Sequence, residues 1–207
     1  CEDQNAVFTV DAGETSDVDY LWQVNAFGTW QDITLADEIA GDYAGVTSST
    51  LVVNVPGSSA NGYRYRVRVS GSCTPSVLSE AATLVVDEQP EIAMPPANRA
   101  VCEDGEVIFV IDPGMTTEPG YFWQFAAPVF PLSWNNATLL AEISENDNDT
   151  LRITNVPYGY DGYYFRTAVS GKCAPATAPA QAQLTVYRKP HIDTQPVNIE
   201  DCEGEDL

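Results

Sequence analysis

Basic residues are what this chain most conspicuously lacks. Nine Lys and Arg stand against 30 Asp and Glu in 207 residues, a formal net charge of −21. A surface that negative repels phosphate backbones and anionic headgroups, so nucleic acid and direct membrane insertion are poor partner expectations. Histidine is limited to His191. Neither a Ser/His/Asp or Cys/His catalytic set nor a Cys/His zinc site therefore has the material to form. There is no Gly-rich phosphate loop, and no apolar run approaches the roughly 20 residues needed to cross a bilayer. Carboxylate pairs abound, but so acidic a chain produces them by chance. No enzyme and no cofactor are expected. The acidity itself reads as solubility and self-repulsion of a surface protein, ahead of divalent-cation binding.

What the chain does have is repetition. Cys1, Glu2 and Asp3 return as Cys102, Glu103 and Asp104, and the mark begins a third time at Cys202 and Glu203, at spacings of 101 and 100 residues. Between the marks Phe8 matches Phe109, Tyr20 and Trp22 match Tyr121 and Trp123, and Trp30 matches Trp134. Gly62 and Tyr63 match Gly162 and Tyr163, and Ser70, Gly71 and Cys73 match Ser170, Gly171 and Cys173. A whole folding unit recurring at this period means an array of modules, and arrays space, display or bind. The expected organisation is repeat 1 over 1–87, lacking its first strand, repeat 2 over 88–187, and the start of a third repeat over 188–207. The third mark leads us to expect a segment of a longer array, whose neighbouring repeats are its first partners. Five Cys at repeat-locked positions, without CxxC spacing, argue for disulfides over metal. They also argue for an oxidising, extracellular location.

Each repeat reads as an all-β unit. Ala6, Phe8 and Val10, then Tyr20, Trp22 and Val24, then Leu51, Val53 and Val55, then Tyr63, Tyr65, Val67 and Val69 alternate as half-buried strands do. Turn residues separate the runs, and no segment sustains a helical period. About seven strands in about 100 residues is the immunoglobulin-like pattern, so the fold class is tandem immunoglobulin-like β-sandwiches. The expected cores are Phe8, Trp22 and Tyr65 in repeat 1 and Phe109, Trp123 and Phe165 in repeat 2.

The order of an apolar second strand, Trp22 or Trp123 on the third, and Tyr65 or Phe165 on the sixth resembles the immunoglobulin family. The usual inter-sheet disulfide positions hold Val10 and Val67, or Ile111 and Thr167, so apolar packing must replace the bridge. The approach Pro90, Ile92, Pro96, Asn98 to Cys102 recurs as Pro190, Ile192, Pro196, Asn198 to Cys202. With Ser-Gly-x-Cys after the sixth strand, the chain resembles the tandem Ig-like modules of large Bacteroidetes surface proteins, including gliding-motility-associated adhesins exported by the type IX system. That resemblance implies a non-enzymatic stalk, filament or adhesin segment at the cell surface. The alternative is a glycan- or protein-binding module that uses the loops of repeat 2.

In such a sandwich Cys1 and Cys102 belong to one pole, and Cys73 and Cys173 to the other. The sixth strand separates the poles by roughly 26 Å at about 3.3 Å per residue, whereas a disulfide needs Cα atoms within about 7 Å. The favoured pairing is therefore Cys1 with Cys173, between repeats, leaving Cys102 for a Cys in the following repeat. Cys1–Cys73 with Cys102–Cys173 stays open as the alternative, if the residues near Cys1 fold up the side of the sandwich. The four-residue linkers 87–90 and 187–190 end in Pro, which stiffens them.

Other candidates are weaker. Arg64, Arg66 and Arg68 alternate outward and are expected to pair with acidic side chains on neighbouring strands. Glu145, Asp147 and Asp149 offer oxygen ligands for calcium but lack the Gly and terminal Glu of an EF-hand loop, so a solvated loop is the default. An acidic group at the repeat boundary (Glu2, Asp3, Asp87, Glu88, Glu91) is a second calcium candidate. Asp149, Thr150 and Leu151 resemble the O-glycosylation signal of Bacteroidetes, which makes Thr150 a modification candidate. The apolar, Pro-stiffened insertion 126–132 of repeat 2, with Val129, Phe130 and Leu132, is the best contact surface for surface glycans or a protein. Other copies of the chain in a filament are a further partner expectation.

Overall fold

A computed structural model of the chain describes residues 1–146 and 148–198. The alternating runs form two sandwiches, each of two facing sheets. In sandwich 1, strands β1 (Ala6–Thr9), β2 (Asp19–Asn25), β3 (Gln31–Asp32), β4 (Tyr43–Ala44), β5 (Thr50–Val53), β6 (Arg64–Ser70), β7 (Val77–Leu78) and β8 (Ala82–Thr83) follow in order. One sheet runs β1-β5-β4; the other runs β3-β2-β6-β7, with β8 also on β6. Sandwich 2 repeats this with β10 (Val107–Val110), β14 (Thr150–Ile153) and β13 (Ile143–Glu145) facing a five-stranded sheet. That larger sheet runs β12 (Asn135–Asn136), β11 (Gly120–Ala126), β15 (Tyr164–Ser170), β16 (Ala180–Tyr187) and β9 (Arg99–Cys102).

Register explains which residues are inside. Trp22 lies opposite Val67 and Trp123 opposite Thr167, so both indoles stand on the inner face of the larger sheet. Both are buried, and each indole N–H donates to a backbone carbonyl, Ser48 O at 2.9 Å and Asn148 O at 3.0 Å. A buried Trp needs such a partner, because an unpaired N–H in the core would forfeit its hydration. Val10 and Val67 pack in the first core; Ile111 is buried in the second beside Thr167, whose hydroxyl donates to Ala168 O at 3.2 Å. The aromatic pairs Phe8 with Tyr65 and Phe109 with Phe165 stack across the sheets at centroid distances of 4.7 and 5.1 Å.

The two cores are not equally closed. Tyr65, Phe109, Trp123 and Phe165 are fully covered, but Phe8 is only partly buried. The reason lies in the last strand. In sandwich 2, β16 runs unbroken and covers the core with Ala182 and Leu184. In sandwich 1 the equivalent stretch is interrupted at Ser79 and Glu80, with Ala82 exposed, leaving an open groove beside Phe8 and Val10.

A short helix, α1 (Leu35–Ala40), was not expected. Its six residues are too few to show a period, yet its ends carry ordinary signals. The Asp37 carboxylate accepts from the Thr34 N–H and hydroxyl, both at 2.7 Å, and Gly41 closes the helix with φ 92°. Those donors hold the Asp37 carboxyl below its ordinary pKa.

Candidate functional site: the junction between the sandwiches

Strand β6 starts near Asn61, at the same pole as Cys1 and Asp87, and ends at Ser70, beside Gly71 and Cys73. The equivalent far pole of sandwich 2 holds Gly171, Lys172 and Cys173. The structure joins the near pole of sandwich 1 to the far pole of sandwich 2: Cys1 is disulfide-bonded to Cys173 across 172 residues, with Cα atoms 5.7 Å apart. The within-repeat alternative, Cys1–Cys73 and Cys102–Cys173, is not formed; Cys73 and Cys102 are free and exposed. The physical obstacle is the length of β6, which keeps the two Cys of one sandwich at opposite ends. Cys202 lies outside the described residues.

Hydrogen bonds surround this staple. The Glu2 N–H donates to Asp87 O at 2.9 Å, and the Glu88 N–H donates to Thr117 Oγ1 at 2.8 Å. The Gln89 N–H donates to Glu2 Oε1 at 3.3 Å, and its side-chain amide to Asp3 Oδ2 at 3.1 Å. Lys172 Nζ reaches Asp87 Oδ1 at 3.2 Å. Pro90 lies over Gly171, where a Cβ would also press to within 2.9 Å of Thr117 O, so only Gly lets the linker and the loop meet. The next boundary begins the same way: the Glu103 N–H donates to Tyr187 O at 2.9 Å, the Lys189 N–H to Glu103 Oε1 at 2.7 Å, and Lys189 Nζ to Asp104 Oδ2 at 2.8 Å. The Asp104 contact holds the Lys189 ammonium above its ordinary pKa.

Four of the five acidic residues considered for calcium at this boundary, Glu2, Asp3, Asp87 and Glu91, thus have carboxylates engaged with protein donors. Glu91 Oε1 accepts the Met115 N–H at 3.0 Å. The loop candidates behave alike. Glu145 accepts from Asn148 Nδ2 at 2.8 Å and pairs with Arg152 at 3.3 Å, which keeps its carboxyl below the ordinary value. Asp149 Oδ1 accepts the Thr150 hydroxyl at 2.9 Å. Asp147 lies outside the described residues. No group of three or more potential metal ligands assembles among the described residues. Thr150 is half-buried at the start of β14, with its hydroxyl turned onto Asp149.

Outward from the core, the arginines depart from expectation. Arg66 does not meet an acidic neighbour; its guanidinium sits 4.0 Å over the Trp30 ring and donates to Gln23 Oε1 at 2.8 Å. Sandwich 2 repeats the arrangement with Arg166 over Trp134 at 3.9 Å and Gln124 at 2.9 Å. Burial lowers the Arg166 pKa from its ordinary value. The recurrence of Gln, Trp and Arg at matched positions was the available signal for this clamp. In the 126–132 insertion, Val129 and Phe130 are 70% and 73% exposed, while Leu132 is half-buried. Phe130 meets Tyr164 edge-on at 6.3 Å.

No family model and no curated protein matches the chain. Solved structures do. The I-band fragment I67-I69 from titin superimposes with a TM-score of 0.63 at 16% identity, over 90% of this chain and 61% of that one. The N-terminal eight Ig domains of Down Syndrome Cell Adhesion Molecule give 0.62 at 14% identity, over 89% of this chain and 23% of that one. Dpr11 IG1 bound to DIP-gamma gives 0.54 at 14% identity, over 90% and 92%. The chain thus spans about three fifths of the titin fragment and under a quarter of the adhesion molecule. At these identities the likeness fixes the architecture, and the chain is a tandem of immunoglobulin-like β-sandwiches.

Proposed function

We propose that the chain is a non-enzymatic structural segment, a stiffened array of Ig-like modules that holds another part of its protein away from a cell. The observation that supports this most is the Cys1–Cys173 staple, which spans a junction already bridged by Glu2, Gln89, Glu88 and Lys172. Inter-domain motion is the default for modules joined by short linkers, and a covalent tie removes most of it. A disulfide of this kind suits an oxidising, extracellular setting. No helix among the described residues is long and apolar enough to cross a membrane. The finer reading, a stalk or adhesin of a Bacteroidetes surface protein exported by the type IX route, rests on the sequence resemblance. Small-angle scattering of oxidised and reduced monomer tests the mechanical role. The stapled chain should keep one maximum dimension, and reduction should broaden the distribution toward bent forms. Identical curves would defeat it.

A second reading, a contact surface on sandwich 2 for glycans or a protein, is favoured by the exposed Val129 and Phe130 beside Tyr164. A saturable ligand found on a glycan array and lost on deleting residues 129–132 would establish it.

A further inference from the structure

In so acidic a chain every basic side chain should find a partner, and seven of the nine do. Arg152 pairs with Glu106 and Glu145, Lys172 with Asp87, and Lys189 with Asp104. Arg66, Arg166 and Arg188 lie over the rings of Trp30, Trp134 and Tyr158. Arg99 donates to Ile108 O at 3.0 Å. The guanidiniums of the other two, Arg64 and Arg68, form no ion pair, hydrogen bond or ring contact among the described residues. They stand on one strand. Both are exposed on the outer face of β6, on either side of the half-buried Arg66.

Register explains why these two stay unpaired. Arg64 lies between Asn25 and Thr83, and Arg68 between Leu21 and Leu78, so neither meets a carboxylate on the strands beside it. Asp32, at the edge of this face, is held by Gln23 Nε2 at 2.6 Å. Glu80, in the break between β7 and β8, forms no ion pair with them among the described residues. Successive guanidiniums are two residues apart, about 6.6 Å along the strand, and the row of three spans about 13 Å. In the turn after β2, two residues beyond Asn25, Phe27 is 87% exposed and meets Tyr63 edge-on at 6.0 Å.

Sandwich 2 shows what surrounds this face when the approach strand β9 is present. That strand pairs with β16 and so lies two strands from β15, about 10 Å away at about 4.8 Å per strand. Contacts with sandwich 1 and the linker are made by Thr116, Thr117 and residues 171–173, past the end of β15. Neither covers the outer face, where Phe122 is 51% exposed. The chemistry there differs between the repeats. Arg66 recurs as Arg166, but Arg64 and Arg68 give way to Tyr164 and Ala168. The row of three guanidiniums belongs to sandwich 1.

We propose that the row Arg64, Arg66 and Arg68, with Phe27 at its end, binds an acidic glycan whose sugars carry carboxylates. Planar guanidiniums form paired hydrogen bonds with carboxylates, and an exposed ring beside them suits the apolar face of a sugar. The net charge of −21 does not oppose this at contact. At physiological salt, charges more than about 8 Å away are largely screened, so a docked carboxylate feels the row beneath it. Charge spacing then selects the polymer. Phosphates follow one another at about 3.4 Å along each strand of a duplex, twice as densely as the guanidiniums, and the surplus meets the acidic remainder of the chain. Carboxylates spread over separate sugar rings are sparser and nearer the spacing of the row.

The test is titration calorimetry with polygalacturonate, set against its uncharged methyl ester and against polyglutamate. The expected result is binding of polygalacturonate alone, weakening on the order of tenfold between about 50 and 200 mM salt, as three guanidinium contacts require. The double variant Arg64→Gln, Arg68→Gln should lower the affinity by about tenfold or more. Its melting temperature should not move, because neither guanidinium has a partner in the folded chain. Arg64→Lys with Arg68→Lys should recover part of the affinity, since an ammonium keeps the charge and loses the fork. A chain that does not bind polygalacturonate overturns the proposal, as does binding that survives the Gln double variant. Equal binding of the methyl ester would show that the row is not the site. Polyglutamate bound as tightly as polygalacturonate would make the ligand an acidic protein and the glycan wrong. Each failure leaves the Cys1–Cys173 staple, and the mechanical reading, untouched.

Discussion

Breaking the Cys1–Cys173 staple should do more than lower stability; it should change how many transitions the chain has. The bond closes a ring containing both sandwiches, since its partners lie 172 residues apart. Suppose sandwich 1 unfolds alone. Its ends stay pinned, Cys1 through the disulfide and the linker through sandwich 2, so a loop of roughly 85 residues remains closed. By the chain-entropy relation this costs about 4.5 kcal/mol. Unfolding sandwich 2 alone closes a loop of similar length at a similar cost. Unfolding both leaves one loop about twice as long, and the total rises only to about 5 kcal/mol, because closure entropy grows with the logarithm of length. Singly unfolded states are therefore penalised nearly as much as the doubly unfolded one, and the staple couples the two sandwiches by about 4 kcal/mol.

The assay is urea and thermal unfolding in a Cys73→Ser, Cys102→Ser, Cys202→Ser background, which leaves Cys1 and Cys173 as the only cysteines. Oxidised protein should melt in one transition. Reduced protein, or the further variant Cys1→Ser, should melt in two, with sandwich 1 first because its last strand is broken. For a sandwich of this size the first transition should fall by on the order of 20 °C. Two transitions in both redox states, or a first transition that reduction does not move, would refute the coupling argument.

Three further outcomes follow from named contacts. Phe109→Ala should cost about 3–5 kcal/mol, as for a fully buried aromatic, while Phe8→Ala should cost less than half as much because its ring is already partly open; equal losses in urea would contradict the account of the broken last strand. Removing the guanidinium from the Trp30–Arg66–Gln23 clamp by Arg66→Ala should cost about 1–2 kcal/mol, with Arg66→Lys falling between, since an ammonium does not stack as a planar group does. The Glu145 carboxyl is held down by Asn148 and Arg152, so its folded pKa lies below its unfolded one. Its contribution is present above the unfolded value and lost as pH falls through the folded value. Carboxyl-carbon NMR should place its midpoint below that of an ordinary Glu, and Arg152→Ala should raise it.

Much of the architecture was legible because period 2 and period 100 reinforce each other. Trp22 and Trp123 stand out as buried since their strands alternate around them and both recur with the same flanking Tyr and Gln. The clamp on the outer face was less visible. Gln23 and Arg66 sit beside Trp22 and Tyr65, so alternation points them outward, but in an acidic chain a carboxylate partner is the natural guess for an arginine. Only their joint recurrence with Trp30, as Gln124, Arg166 and Trp134, identifies the ring as the partner. Helix α1 escaped for a different reason: six residues contain under two turns, and its capping pair Thr34 and Asp37 is too common a spacing to stand alone.

The position of the cysteines along the repeat carries a physical consequence that their number alone does not. A pair placed at one pole would close a loop inside a sandwich and strengthen that sandwich only. Here one Cys precedes the second strand and the other follows the sixth, so β6 holds them apart within a sandwich and the junction brings them together between sandwiches. Each repeat then offers one thiol forward and one backward, and any number of repeats can be tied in series without altering the fold of any one of them. Stiffness becomes a property of the order of the modules, while the core of each module, with its indole and stacked aromatic pair, carries the thermodynamic stability. With no inter-sheet disulfide among the described residues, the cysteines tie one module to the next and leave each core to its own packing.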